Sequence, residues 1–205
     1  MVSIDHVVFD MGNVFVRWDR RWLYEKIFAD KAELDWFLDH VATSDFNHTL
    51  DMGRDWTEAC ETLAAAHPKY RAEIMAYDSR WAEMLGPQIE GTVDLARGLR
   101  AGGYQLHLLS NVATHRFHEI AEIIPFLETL TSRVLSGDVG LAKPEPEIYR
   151  LLQAQAGFDP ARTVFLDDMR ANCETARALG WHAIEFTTAE AAKRDLRALG
   201  VKLAD

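Results

Sequence analysis

The stretch HVVFDMGNVFV, residues 6 to 16, runs three apolar residues directly into an acid, Asp10. The apolar pattern resumes at Val14 after Met11, Gly12 and Asn13. A short Val- and Phe-rich run that stops at a carboxylate and a glycine reads as a buried strand ending in a turn. Four further runs share that character: 104–110 (YQLHLLS), 133–135 (RVL), 163–167 (TVFLD) and 182–186 (HAIEF). From Tyr104 onward they alternate with stretches of helical spacing. Ile120, Ala121 and Ile124 follow one run, and Ile148, Leu151 and Leu152, closed by Gly157, follow the next. Ala176 and Leu179, closed by Gly180, and then Ala192, Leu196 and Leu199 complete the series. This alternation predicts βαβ crossovers, and so an α/β fold with a doubly wound parallel sheet.

Residues 17–86 break the pattern. Leu34, Phe37, Leu38 and Val41 have helical spacing, as do Trp56, Cys60 and Leu63, and then Tyr70, Ile74, Tyr77 and Trp81. Asp55 followed by Glu58 has capping-box character at the start of the second of these stripes. No strand is expected here, and the aromatic residues, including Trp18, Trp22, Trp36, Trp56 and Trp81, are read as core. The expectation is an all-helical insertion at 17–86 within a main domain made of 1–16 and 87–205.

The composition, 48% hydrophobic and 26% charged, is that of an ordinary globular protein. No apolar run reaches the length of a membrane span. The first residues lack the basic and apolar regions of an export signal. Cys60 and Cys173 lie far apart without metal-ligand spacing, which suits reduced thiols in a cytoplasmic protein. A net charge of −10 argues against a nucleic-acid surface. An anionic substrate would have to be held by a local site. Oligomeric state is not readable from the pattern.

In open parallel sheets, ligands bind outside the carboxyl ends of the strands. The first strand ends at Asp10, the second at Ser110 and Asn111, and the fourth at Asp167 and Asp168, with Asn172 a turn beyond. The loop after the third contributes Lys143, within GLAKPEPEIY. Each alone has an ordinary explanation as a turn former, helix cap or solvated loop charge. Together they place three carboxylates, a hydroxyl and an ammonium on one sheet edge. Acids so gathered repel unless a cation sits among them. Carboxylate and carbonyl oxygens suit Mg2+, and the serine and lysine supply donors for an anion.

These four segments, VVFDMGNV, LLSN, AKPEPEIY and VFLDDMRAN, resemble in order the four motifs of the haloacid dehalogenase superfamily, and the resemblance spans essentially the whole chain. The first and last look most like the bacterial sugar-phosphate phosphatases and the phosphatase domain of epoxide hydrolase. The resemblance implies that the helical segment is a cap and that Asp10 is a nucleophile forming an aspartyl-phosphate. It implies that Ser110, Asn111 and Lys143 handle phosphate, with Lys143 also restraining Asp10. It further implies Mg2+ held by Asp10, the Gly12 carbonyl and Asp168, supported by Asp167 and Asn172.

One departure stands out. Phosphatases of this superfamily commonly carry a second aspartate two residues after the nucleophile, as general acid and base, and here that position is Gly12. The leading expectation is a Mg2+-dependent phosphatase acting on a small phosphorylated metabolite, with a sugar phosphate implied by the resemblance. The alternatives are a metal-independent 2-haloacid dehalogenase, which fits the Asp167–Asp168 pair poorly, and a catalytically weak phosphate-binding regulator. Without an acid at position 12, leaving groups that tolerate negative charge would be favoured unless another residue, such as Asp19 or His48, supplies the proton. Arg17, Trp18, Asp19, His48 and Arg54 are the candidates near the mouth of the cap.

Overall fold

The computed structural model describes residues 3–203. Its strands are β1 (His6–Phe9), β2 (Val16–Trp18), β3 (Leu85–Gln88), β4 (Gln105–Ser110), β5 (Ser132–Leu135), β6 (Thr163–Asp167) and β7 (His182–Glu185). Five form one parallel sheet in the order β5-β4-β1-β6-β7. Each coincides with an apolar run of the sequence to within a residue at either end. Phe9 is level with Leu108 on one side and Leu166 on the other, so Asp10, Ser110 and Asp167 end three neighbouring strands. The order reverses at β1, which is the topological switch point where such sheets bind ligands.

Alternation along the strands feeds both faces. Val8, Leu109 and Phe165 pack against Ile148, Tyr149, Leu152 and Trp181 on one face. Phe9, Leu108 and Leu166 belong to a second cluster with Leu99, Phe117 and Leu196. Leu151, expected in the apolar stripe of its helix, is instead solvent-exposed. Helix Pro146–Ala156 presents Ile148, Tyr149 and Leu152 to the sheet, and Leu151 lies off that arc.

Between β2 and β3 the chain is helical: a short turn at Arg21–Tyr24, then Lys31–His40, Ser44–Asp51, Trp56–Ala66 and Arg71–Ser79. Three of these start on side-chain caps, with Asp30, Thr43 and Asp55 accepting from Ala32 N, Phe46 N and Glu58 N. Phe37, Leu50, Ile74, Tyr77 and Trp81 are buried, and their cluster is continuous with the one on the sheet. Trp36 departs from the expected core, being 43% exposed and stacked on His40.

The antiparallel ribbon β2–β3 at the base of this segment is an addition to the expected pattern. Three residues on one side and LGPQ on the other carry neither the length nor the alternation by which strands are recognised. Gly86 sits where any side chain would strike the Trp22 ring. Among the described residues, no helix is long and apolar enough to cross a membrane.

Candidate active site

The turn after β1 sets the site's geometry. Asp10 N donates to Leu166 O at 2.9 Å, so the strand pairing persists up to the acid. Beyond it the chain coils tightly, with Asn13 N donating to Val16 O at 2.7 Å and Phe15 N to Met11 O at 2.8 Å. Neither bond uses the Gly12 carbonyl. Asn13 takes the left-handed conformation, φ 54°, which asparagine tolerates better than most residues.

Lys143 is the hub. Its Nζ lies 2.7 Å from Asp10 Oδ1 and 2.7 Å from Asp167 Oδ2, and the side chain is almost wholly buried. The reading of this lysine as a solvated loop charge is therefore excluded. Asn111 holds its loop at both ends of one amide: Asn111 Nδ2 donates to Lys143 O at 2.9 Å, and Lys143 N donates to Asn111 Oδ1 at 2.8 Å. Ser110 Oγ donates to Asp10 Oδ1 at 2.9 Å. Asp167 is fully buried and also accepts from Met169 N at 2.8 Å and from Asn172 Nδ2 at 2.9 and 3.0 Å.

Asp10, Asp167 and Asp168 bring ligand atoms to within 4.8 Å of one another. A group of oxygen donors so close, with Asp168 partly open to solvent, has the chemistry of a hard divalent-cation site. The electrostatics agree. The Asp10 carboxyl is pushed up to about 7, chiefly by burial; Lys143 opposes the rise, while Asp167 and Asp168 add to it. Asp168 is raised by burial and by Asp167, against Lys143 and a hydrogen bond with Asn13. Burial would lower Lys143, but Asp10 and Asp167 outweigh it and hold the ammonium above its usual value. Every sequence-derived site residue (Asp10, Gly12, Ser110, Asn111, Lys143, Asp167, Asp168 and Asn172) therefore falls in this one cluster or on its rim.

A cavity of about 130 Å³ opens beside the cluster. Gly12, Ser110 and Asn111 form its floor, and Trp18, Asn47, Asp51, Trp81, Arg116 and Ile120 are among its walls. Of the five mouth candidates, Trp18 alone lines it. Arg17 is exposed, Asp19 accepts from Arg21 N at 2.8 Å, and Arg54 lines a separate groove with Thr114 and His115. Asn13, Asn47, Asp51 and Arg116 join the site without being among the residues the sequence singles out. Asn13 stands in plain view beside Gly12, whereas the other three come from helices whose polar residues read as solvated faces.

Arg116 ties the sheet side to the helical segment. Its guanidinium lies between Trp56 and Trp81, 4.4 and 4.9 Å from the ring centres, and pairs with Asp78 at 2.5 Å. Ser136 makes a second tie: Val112 N donates to its Oγ at 2.8 Å, and that hydroxyl donates to Asp51 O at 2.6 Å.

The chain is 25% identical over 193 residues to a sesquiterpene phosphatase of Aspergillus oryzae, covering 94% of each. It is 32% identical over 108 residues to an enolase-phosphatase of Streptomyces avermitilis, spanning 44% of that protein's length. Among solved structures, a haloacid dehalogenase family enzyme of Bacteroides thetaiotaomicron, an aspartate-to-alanine variant in complex with magnesium and inorganic phosphate, superposes with a TM-score of 0.72. That pair is 25% identical, with 91% of this chain and 95% of the other covered. L-2-haloacid dehalogenase of Xanthobacter autotrophicus shares the fold at 16% identity, TM-score 0.63, over 98% of this chain and 85% of its own. The family model for haloacid dehalogenase-like hydrolases matches residues 4–180. With its motifs gathered at the switch point of a parallel sheet, the chain belongs to the haloacid dehalogenase-like hydrolases.

Proposed function

We propose that this hydrolase is a Mg2+-dependent phosphatase, working through an aspartyl-phosphate on Asp10, with a small phosphorylated metabolite as substrate. The observation that carries the reading is the buried Lys143, clamped between Asp10 and Asp167 while Asp168 brings a third carboxylate alongside. The side chains of Asp10 and Asp168 and the Gly12 carbonyl would hold the ion. Bound there, Mg2+ would neutralise the crowded acids and polarise the phosphoryl oxygens.

The Asp10 carboxylate is the nucleophile, oriented by Ser110 Oγ and Lys143 Nζ. Both donors can turn to the phosphoryl oxygens as the Asp10 oxygen becomes bonded to phosphorus, so the same groups serve ground state and transition state. Asp167 and Asn172 keep Lys143 in place, and Asn111 fixes its backbone. Trp18 and Trp81 give the cavity aromatic walls on which the C–H face of a sugar can stack. This supports the sugar-phosphate reading that the motifs suggest. The cavity is mostly apolar, and a prenyl phosphate therefore belongs in the same trial. The buried free thiols Cys60 and Cys173 suit a reducing compartment, the cytoplasm.

The test is phosphate release from a panel of sugar, nucleotide and prenyl phosphates, with Mg2+ and with excess chelator, alongside 2-chloropropionate with chloride release as readout. Metal-dependent phosphate release, abolished in Asp10→Asn, is the expected result. Full activity in chelator, or chloride release instead, overturns the proposal.

A further inference from the structure

Gly12 leaves the position two residues beyond the nucleophile without an acid, and the structure brings another acidic residue, from the helical segment, into the lining of the same cavity. Asp51, the last residue of helix Ser44–Asp51, lines that cavity together with Gly12, Ser110 and Asn111. The residue is half-buried and lines the same space as Ser110 and Asn111 at the strand end beside Asp10. Its orientation is fixed from two directions. Asn47 Nδ2 donates to Asp51 Oδ2 at 2.6 Å, and the Tyr77 hydroxyl donates to Asn47 Oδ1 at 2.6 Å, which decides which end of the amide Asp51 meets. The backbone carbonyl of Asp51 is held by Ser136 Oγ.

The surroundings favour the protonated acid. Burial holds Asp51 well above the usual carboxylate range; the Asn47 bond opposes this, Asp10 adds to the rise and Lys143 subtracts from it. Tyr77, buried behind Asn47, is itself raised by burial and by Asp51 and stays neutral. Arg116 is the cation on the adjoining wall, and its charge is engaged by Asp78 and Glu119. The two donors suggested by position near the mouth, Asp19 and His48, are not among the residues that line this cavity.

We propose that Asp51 is the general acid and base of this site, a reading that rests on the aspartyl-phosphate mechanism above. As the bond between phosphorus and the leaving oxygen breaks and the bond from Asp10 to phosphorus forms, the Asp51 proton passes to the leaving oxygen and Asp51 becomes a carboxylate. A water then attacks phosphorus. One of its protons goes to Asp51, its oxygen stays on phosphorus with the other, and the bond from the Asp10 oxygen to phosphorus breaks, releasing phosphate and restoring Asp10 as a carboxylate and Asp51 as an acid. The acid is thus carried by the helical segment, while the nucleophile is carried by the sheet.

The experiment compares wild type and Asp51→Asn on two esters, an alkyl phosphate taken from the active panel and p-nitrophenyl phosphate, with Mg2+ present. Asparagine keeps the shape and the Asn47 contact, and an unchanged unfolding midpoint verifies the fold. On the alkyl ester, kcat/KM should fall about 10²–10⁴-fold, the usual worth of a positioned proton donor. On the aryl ester, whose leaving group needs no proton, a pre-steady-state burst of nitrophenolate should survive, followed by slow turnover. Adding Gly12→Asp to Asp51→Asn should recover part of the loss, since a Cβ at Gly12 would have nothing within 4 Å. No loss on the alkyl ester, or equal losses on both esters including the burst, overturns the assignment. Wild type inactive on every ester overturns the phosphatase reading, and this one with it.

Discussion

Asp10 is crowded by two other acids and buried, and the balance of those forces sets how the site takes up metal. The folded carboxyl holds its proton to about 7. In an unfolded chain an aspartate gives it up near 3.9. Its contribution to the stability of the metal-free protein is therefore fully present below about pH 4 and is lost as pH rises through about 7. A cation needs the carboxylate, so Mg2+ must displace that proton. Apparent Mg2+ affinity should fall by up to about tenfold per pH unit below 7 and level off above it, with proton release on binding. Titration calorimetry in buffers of different ionisation enthalpy measures both quantities, and an affinity flat across neutrality would contradict the geometry. At this scale the sequence is informative. Asp10, Ser110, Asp167 and Asp168 can be named because strand ends on one edge of a parallel sheet must converge. Asp51 cannot, because NHTLDMG is an ordinary polar helix end, and what gives the acid its meaning is a cavity formed by residues from four distant segments.

Among the elements, the five sheet strands are legible because burial on both faces leaves near-continuous apolar runs. The β2–β3 ribbon is not, since its pairing is a contact between residues 16–18 and 85–88 that no local period announces. The turn at Ser136–Val139 makes another such long-range approach, to the loop between β4 and the helix Thr114–Ile123. A Cβ on Gly137 would lie 2.8 Å from Ala113 Cα and from Thr114 N, both backbone atoms that cannot swing aside. Gly137→Ala should therefore cost about 1–3 kcal/mol, the usual penalty of overpacking. Because the displaced loop carries Asn111, activity should fall as well. Gly12→Ala is the control at the other extreme, with open space around it and no stability loss expected. Urea unfolding of the two variants separates them, and equal midpoints would show that the approach at Gly137 is slack.

At the scale of the whole molecule, the site is shared between a sheet that carries nucleophile, lysine and acids and a helical segment that closes the cavity. Beside the apolar cluster that runs through both, two polar ties join them. Arg116 reaches across to Asp78 between two tryptophans, and Ser136 accepts a peptide N–H from one side while donating to a peptide carbonyl of the other. Neither tie can be read from the sequence, because each joins residues 38 or 85 positions apart. The serine tie has a consequence for timing. The Val112 amide is buried on that hydroxyl, and any lifting of the helical segment would cost the hydroxyl its second partner and the amide its shelter. Deuterium uptake at Val112 then becomes a clock for opening: slow in the closed molecule, faster in Ser136→Ala, and slower again when a phosphate analogue such as vanadate keeps the cavity shut. Uptake unmoved by either change would mean that the lid and its base breathe as one body.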